Sequence, residues 1–255
     1  MNSARIEAYL DRINHQYSIA PTAETLRALQ LAHLSAVPFE NLSIHAGQSI
    51  VLDDEALFTK IVRRRRGGFC YEANGLFCVL LRALGFNVSM LSAGVANAEG
   101  GFGPDFDHMT LLVDLEERWL VDVGFGDSFR EPLLLDARGE QVQGSRAYRI
   151  VPDGDHFRLM QRDGDGEWNP QYRFSLRRHE FADFEEMCRY HQTSPQSHFT
   201  KGRICTRSSG EGRVTLSEMR LITTSLDGER REQTLSSKEE YDAALREHFG
   251  IVMDG

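Results

Sequence analysis

The stretch Arg63–Leu84, RRRRGGFCYEANGLFCVLLRAL, decides how the rest of the chain is read. Gly67 and Gly68 end one helical pattern. Leu76, Phe77, Leu80, Leu81 and Leu84 then recur at helical spacing until Gly85 stops a second. Cys70 therefore falls in the first turn of a buried helix, where unsatisfied N–H groups act as a partial positive charge. That position favours the thiolate, the reactive form of cysteine. The same pattern also describes a small buried residue at a helix start, since free cysteine is among the most buried residue types.

Upstream, residues 3–14 and 22–34 place Ile6, Tyr9, Leu10, Ile13 and then Leu26, Leu29, His33, Leu34 on apolar stripes, as amphipathic helices do. A further helix is predicted from Asp53 or Asp54, with Leu57, Phe58, Ile61 and Val62 inward. After Gly85 the texture changes. Asn87–Val95 is strand-like, and His108–Leu115 and Arg118–Phe125 read as a hairpin. Shorter strands are expected at Tyr148–Val151, His156–Met160 and Gln171–Phe174, which makes the middle third an antiparallel sheet or barrel. The tail is mixed: a helix at Glu180–Tyr190, strands in Arg213–Thr224, and a last helix at Ser237–Phe249.

The chain has 255 residues, enough for one large domain or a few small ones sharing a core. A net charge of −9 argues against a general binder of nucleic acid or of anionic membranes. The four cysteines show no C-x-x-C spacing and the histidines no H-x-x-x-H, so neither a disulfide framework nor a metal is expected. The polar N-terminus lacks a signal-type apolar run, and the longest apolar run is broken by Arg82, so a cytoplasmic protein is expected.

A thiol nucleophile needs a base, and the base needs an orienting partner. His108 opens one strand of the hairpin and Asp122 lies on the other, inside the apolar run Leu120-Val121 and Val123. Asp122 lies beyond a turn near Glu116-Glu117, and the two are expected across from one another if the turn falls midway between them. The spacing alone equally allows His108 to cap a strand and Asp122 to pair with an arginine.

Arg66-Gly67-Gly68-Phe69-Cys70-Tyr71-Glu72-Ala73-Asn74 resembles the RGG-x-C-x-E-x-N signature of the arylamine N-acetyltransferases. Val37–Leu42 (VPFENL), Val121–Gly126 (VDVGFG) and His191–Phe199 (HQTSPQSHF) resemble three further segments of that family, in order. The resemblance implies an α+β fold: an N-terminal helical bundle (1–85), a central antiparallel β-barrel (86–190) and a C-terminal α/β lid (191–255), with a cysteine-proteinase-like core. It implies a Cys70–His108–Asp122 triad that takes an acetyl group from acetyl-CoA and passes it to an aromatic amine or hydrazine in ping-pong order. Phe39, Phe125 and Phe199 would line the acceptor pocket, although phenylalanines at such positions also serve as core. Gly103 and Gly126, with Gly101 and Gly124, would let backbone approach the coenzyme or would only form turns. Arg66 would pair with Glu40 beneath the site. Asp107 departs from the family, many members of which carry another residue before the histidine.

The arginines at 63–66 invite a phosphate-binding reading, but basic residues in a helix's last turn also suit its dipole. Three rival functions share these residues: a Cys-His-Asp hydrolase or transglutaminase-like enzyme, an amide synthase of the same fold, and an inactive scaffold.

Overall fold

The computed structural model describes residues 1–253. The N-terminal third is helical: α1 (Ser3–Arg12), α2 (Ala23–Ala36), a two-residue strand β1 (Phe39–Glu40), α3 (Leu42–His45), α4 (Asp54–Phe58) and α5 (Cys70–Ala83). Asn2, Thr22 and Asp53 each cap the helix that follows by accepting a backbone N–H. A π-turn over Thr59–Arg63 extends α4, a widening that the periodicity of Leu57, Phe58, Ile61 and Val62 does not reveal. Helix α5 is buried almost all round and packs on the strand His108–Asp114.

The middle of the chain runs β2 (Asn87–Val95), β3 (His108–Asp114), β4 (Arg118–Val121), β5 (Leu133–Leu134), β6 (Gln141–Gln143), β7 (Arg146–Asp153), β8 (His156–Asp163) and β9 (Asn169–His179). These form one antiparallel sheet of order β5-β4-β3-β2-β9-β8-β7-β6. Its two edges are joined by side chains rather than by a ladder. The Gln141 carboxamide accepts from Leu134 N at 2.7 Å and donates to Leu134 O at 3.0 Å. Gln143 accepts from Arg130 N and donates to Glu131 O. The sheet is thus a nearly closed barrel. Along β3 the faces alternate: Met109, Leu111 and Val113 join the helical core, while Leu112 turns into the barrel with Leu91, Tyr148, Tyr172 and Phe174.

The register corrects one expectation. Asp114 pairs with Arg118 and Leu111 with Val121, so the next pair along would set Thr110, not His108, against Asp122. Asp122 also lies just past the end of β4. It is a diagonal neighbour of His108, a distance that a histidine and an aspartate span together.

Helix α6 (Phe181–Thr193) and a short 3₁₀ turn (His198–Thr200) lead into β10 (Ile204–Ser209), β11 (Gly212–Ser217), β12 (Arg220–Ser225), β13 (Arg230–Thr234) and α7 (Lys238–Ala244), which ends in a π-turn over Leu245–Phe249. Position 85 falls in the turn after α5, and position 190 falls inside α6. The second sheet has the order β1-β10-β11-β12-β13, so its first strand comes from the N-terminal third.

Beneath β1 lies a buried ionic cluster. Arg66 donates through Nε and Nη2 to Glu40 Oε1 at 3.0 and 2.8 Å, and Leu42 N donates to Glu40 Oε2 at 2.7 Å. Lys60 Nζ lies 2.7 Å from Glu72 and 3.8 Å from Glu40. Burial pushes the Glu40 carboxyl up, but Lys60, Arg66 and the Leu42 N–H outweigh it and hold it below its ordinary range. Arg66→Lys keeps the charge but loses the forked match to one oxygen. It is expected to lower stability by about 2 kcal/mol at neutral pH, read as a fall in Tm of several degrees. Glu40's depressed folded value makes this contribution complete above about pH 4.3, and it is lost as acid protonates the carboxylate. The Tm gap between wild type and variant should therefore narrow in acid; equal Tm at neutral pH would remove this role from Arg66.

Candidate active site

Cys70 is the first residue of α5 and is 3% exposed. The chain after β4 lies directly on it: a Cβ on Gly124 would meet the Asn74 amide, the Cys70 Cα and the Cys70 carbonyl oxygen. That close approach requires glycine. The helix start is where the sequence puts it, and the thiol there is buried. Burial pushes the Cys70 thiol well up, and the Met109 N–H facing the sulfur offsets this only in part.

His108 and Asp122 are both buried, and His108 Nε2 lies 2.7 Å from Asp122 Oδ2. An ionised carboxylate only accepts, so Nε2 carries the proton and Nδ1 keeps its lone pair. Asp122 Oδ1 accepts from Asn74 Nδ2 and from Gly124 N, both at 2.9 Å. Asn74 Nδ2 also donates to Met109 O at 2.6 Å, and its Oδ1 accepts from Val123 N at 2.8 Å. Asn74 stands one turn after Cys70 on the same helix, so it fixes the Cys70 helix to both the His108 strand and the Asp122 carboxylate. Among the described residues, no hydrogen bond joins the Cys70 sulfur to the imidazole; what brings the two together is the Asn74 tie and the adjacency of Met109 to His108.

The three phenylalanines divide between two walls. Phe125 meets the His108 ring edge to face at 5.2 Å, with Tyr172 5.3 Å from Phe125 and 5.2 Å from His108. Phe199 meets Phe69 at 5.4 Å and Phe39 at 6.2 Å. Gly126 has φ +92° and packs beside the Phe39 ring. Gly103 is placed otherwise. It donates to Val95 O at 2.7 Å, and a Cβ there would run into the Asp107 carboxylate. Its smallness thus has a packing reason. The Asp107 carboxylate is engaged elsewhere than by hydrogen bonding to the imidazole: its Oδ2 accepts from Val95 N at 3.1 Å and its Oδ1 lies 3.2 Å from His191 Nε2. Burial pushes this carboxyl up, but the His191 and Val95 contacts hold it down. His191 also meets Ser197 Oγ through Nδ1 at 3.0 Å, so Asp107 anchors α6 and the Phe199 turn to the barrel.

Asn74 and Tyr172 carry positions that the sequence did not assign to them. Asn74 lies in the quoted signature, four residues after Cys70, and that spacing was its signal. Tyr172 lies in an expected strand, but its place under His108 follows from the β2–β9 pairing, which is non-local. Among the described residues no group of three or more His, Cys, Asp or Glu side chains is placed to hold a metal, and no helix is long and apolar enough to cross a membrane.

Residues 22–255 match the model of an N-acetyltransferase family. The arylamine N-acetyltransferase of Escherichia coli (strain K12) is 33% identical over 96% of this chain and 88% of its own. Proansamycin X synthase of Amycolatopsis mediterranei (strain S699) is 31% identical over 96% of both chains. The structure of Mycobacterium marinum arylamine N-acetyltransferase in complex with CoA matches with a TM-score of 0.88 at 33% identity, covering 96% of this chain and 92% of that one. On the signature around Cys70, the barrel fold and these relationships, the chain belongs to the arylamine N-acetyltransferase family.

Proposed function

We propose that this protein transfers an acetyl group from acetyl-CoA to an aromatic amine or hydrazine through a thioester on Cys70. The observation that carries the reading is the buried 2.7 Å contact of His108 with Asp122, tied by Asn74 to the Cys70 helix. The acceptance of CoA by a relative of the same fold supports the donor. On a division into 1–85, 86–190 and 191–255, the nucleophile comes from the first segment and the base from the second.

In the first half-reaction His108 Nδ1 takes the thiol proton while Asp122 holds Nε2–H and stabilises the imidazolium. The sulfur attacks the acetyl carbonyl carbon, and the Cys70 N–H at the helix start is a donor for the oxyanion. The C–S bond to CoA breaks, and the leaving thiolate takes the proton back from the imidazolium. In the second half an amine nitrogen attacks the thioester, His108 takes its proton, and Cys70 leaves as the thiol. The walls of Phe125 with Tyr172 and of Phe39 with Phe199 suit a flat aromatic acceptor. Gly126, beside Phe39, is the glycine of the two best placed for approach of the coenzyme. Thiol and imidazole are expected to close to hydrogen-bond distance when the donor is bound, as such contacts do in other enzymes. The second reading, a synthase joining a longer acyl chain to an arylamine, draws on the relationship to proansamycin X synthase.

Incubation with acetyl-CoA should leave an acetyl group on Cys70, seen by intact-protein and peptide mass spectrometry, which an aniline or hydrazine then removes. A stable thioester that no small arylamine discharges would favour the synthase. No adduct at all, or loss to water at the same rate with and without amine, would defeat the transferase reading. His108→Ala should slow acylation by about 10² to 10⁴.

Asn74→Ala leaves Met109 O, Asp122 and Val123 N short of partners inside the protein. It should cost about 2–3 kcal/mol of stability and slow acylation while the protein stays folded. Wild-type acylation rates in the folded variant would show that the tie is structural only.

A further inference from the structure

Arg63 and Arg66 of the arginine run are accounted for: Arg63 pairs with Glu55 at 2.6 Å and Arg66 with Glu40. Arg65 is different. It has φ +52°, and it faces a cavity of about 230 Å³ shared with Arg12, Arg207 and Arg246. Arg12 comes from the end of α1, Arg207 from β10, and Arg246 from the last turn of the chain. Arg12 is only 4% exposed. Its donors go to backbone oxygens: Nε to Ile61 at 3.0 Å, Nη1 to Ala36 at 2.8 Å, and Nη2 to Arg65 and Arg66, each at 3.3 Å. Arg207 likewise donates to Ser35 O at 3.1 Å and His248 O at 2.6 Å. Among the described residues none of the four guanidiniums makes an ion pair, although Glu247 also lines the cavity.

Carbonyl dipoles satisfy N–H groups but do not neutralise charge, and like charges gathered in a partly buried site repel. Elsewhere many arginines find carboxylates, as Arg63, Arg66, Arg118 and Arg146 do, and those that do not, such as Arg64 and Arg138, are not gathered with three others on one cavity. Four that converge without one, in a protein of net charge −9, call for an anion from outside. Guanidinium forks match tetrahedral oxyanions bidentately. The size narrows the class: about 230 Å³ is below the roughly 300–1,000 Å³ of sites for organic ligands. We propose that this cavity binds a phosphate-class oxyanion, joining α1 and the Arg65 turn to β10 and the C-terminal turn. The bound anion would stiffen the path from Ala36, whose carbonyl Arg12 holds, to the strap carrying Phe39 and Glu40.

Tm measured at fixed ionic strength tests this, with chloride exchanged for inorganic phosphate or pyrophosphate. Phosphate should raise Tm by about 2–4 °C over chloride. Arg65 and Arg246 are exposed, so the double variant R65Q/R246Q should fold and lose the shift. R64Q should keep it. R130Q, in a separate cleft where Asp127 pairs with Arg146 and Arg213, should also keep it. Calorimetric titration of phosphate should show binding weakened about tenfold for each of the two arginines removed. A parallel arm with 3′,5′-ADP identifies the source: a shift that R65Q/R246Q removes makes the phosphate a nucleotide's, and a shift with inorganic phosphate alone makes it a free ion. Equal Tm in phosphate and chloride, or a shift that survives R65Q/R246Q and disappears in R130Q, would overturn the assignment.

Discussion

One carboxamide fixes the geometry on which the site depends. Asn74 donates to Met109 O and to Asp122, and accepts from Val123 N, all within 2.9 Å. A single side chain on α5 thus registers the helix against β3 and against the chain beyond β4. The thiol and the imidazole sit on different elements and share no hydrogen bond, so their relative position is inherited from this contact. Gly124 belongs to the same arrangement, since only a residue without a Cβ lets the chain after β4 lie on the first turn of α5. A rigid support of this kind is what a reacting constellation needs, because small displacements between nucleophile and base are expensive in rate.

A second layer of constraint lies beneath. β1 is two residues long, yet it carries Phe39 on the aromatic wall and Glu40 in the ionic cluster, and it pairs with Thr206 and Cys205 of β10. A Cβ on Gly67 would run into the Pro38 carbonyl oxygen, so the arginine–glycine turn and the β1 strap are pressed together. The second sheet therefore does not rest on the helical segment as a separate layer. It begins inside it, and the Glu40–Arg66 pair sets where it begins. Asp107 and His191 do the same from the barrel side, by holding α6 and the turn that presents Phe199.

Much of this was legible in the residues. The helix start at Cys70 and the hairpin over His108 and Asp122 follow from local periodicity and turn chemistry, and the Arg66–Glu40 pair from the family resemblance. The turn near Glu116-Glu117 is where it was expected, but a hairpin centred on Glu116 sets Thr110, not His108, against Asp122. β1, β5, β6, β10 and β13 were not legible: the first three are only two or three residues long, and β10 and β13 are largely polar and carry no clear apolar alternation. The barrel closure was hidden for a different reason, since Gln141 and Gln143 act through side-chain amides that no alternation pattern marks. Cys70 lies deeper than its helix-start position suggests, and burial, which a sequence reports only indirectly, pushes its thiol up.

That last difference bears on why a histidine and an aspartate are needed at all. A cysteine at an exposed helix start gains enough from the unsatisfied N–H groups to ionise on its own. Cys70 is buried, and desolvation pushes its thiol up by more than the Met109 N–H lowers it. A sulfur in that setting becomes an anion only together with a cation that takes its proton. On the proposed chemistry the imidazole is that cation, and Asp122 accepts three hydrogen bonds, from His108, Asn74 and Gly124. Burial that disfavours the free thiolate also excludes water from the thioester, which an acyl carrier requires and a hydrolase does not. On the proposed chemistry, then, the depth of Cys70 and the demand for a full triad are the same physical fact seen from the two half-reactions.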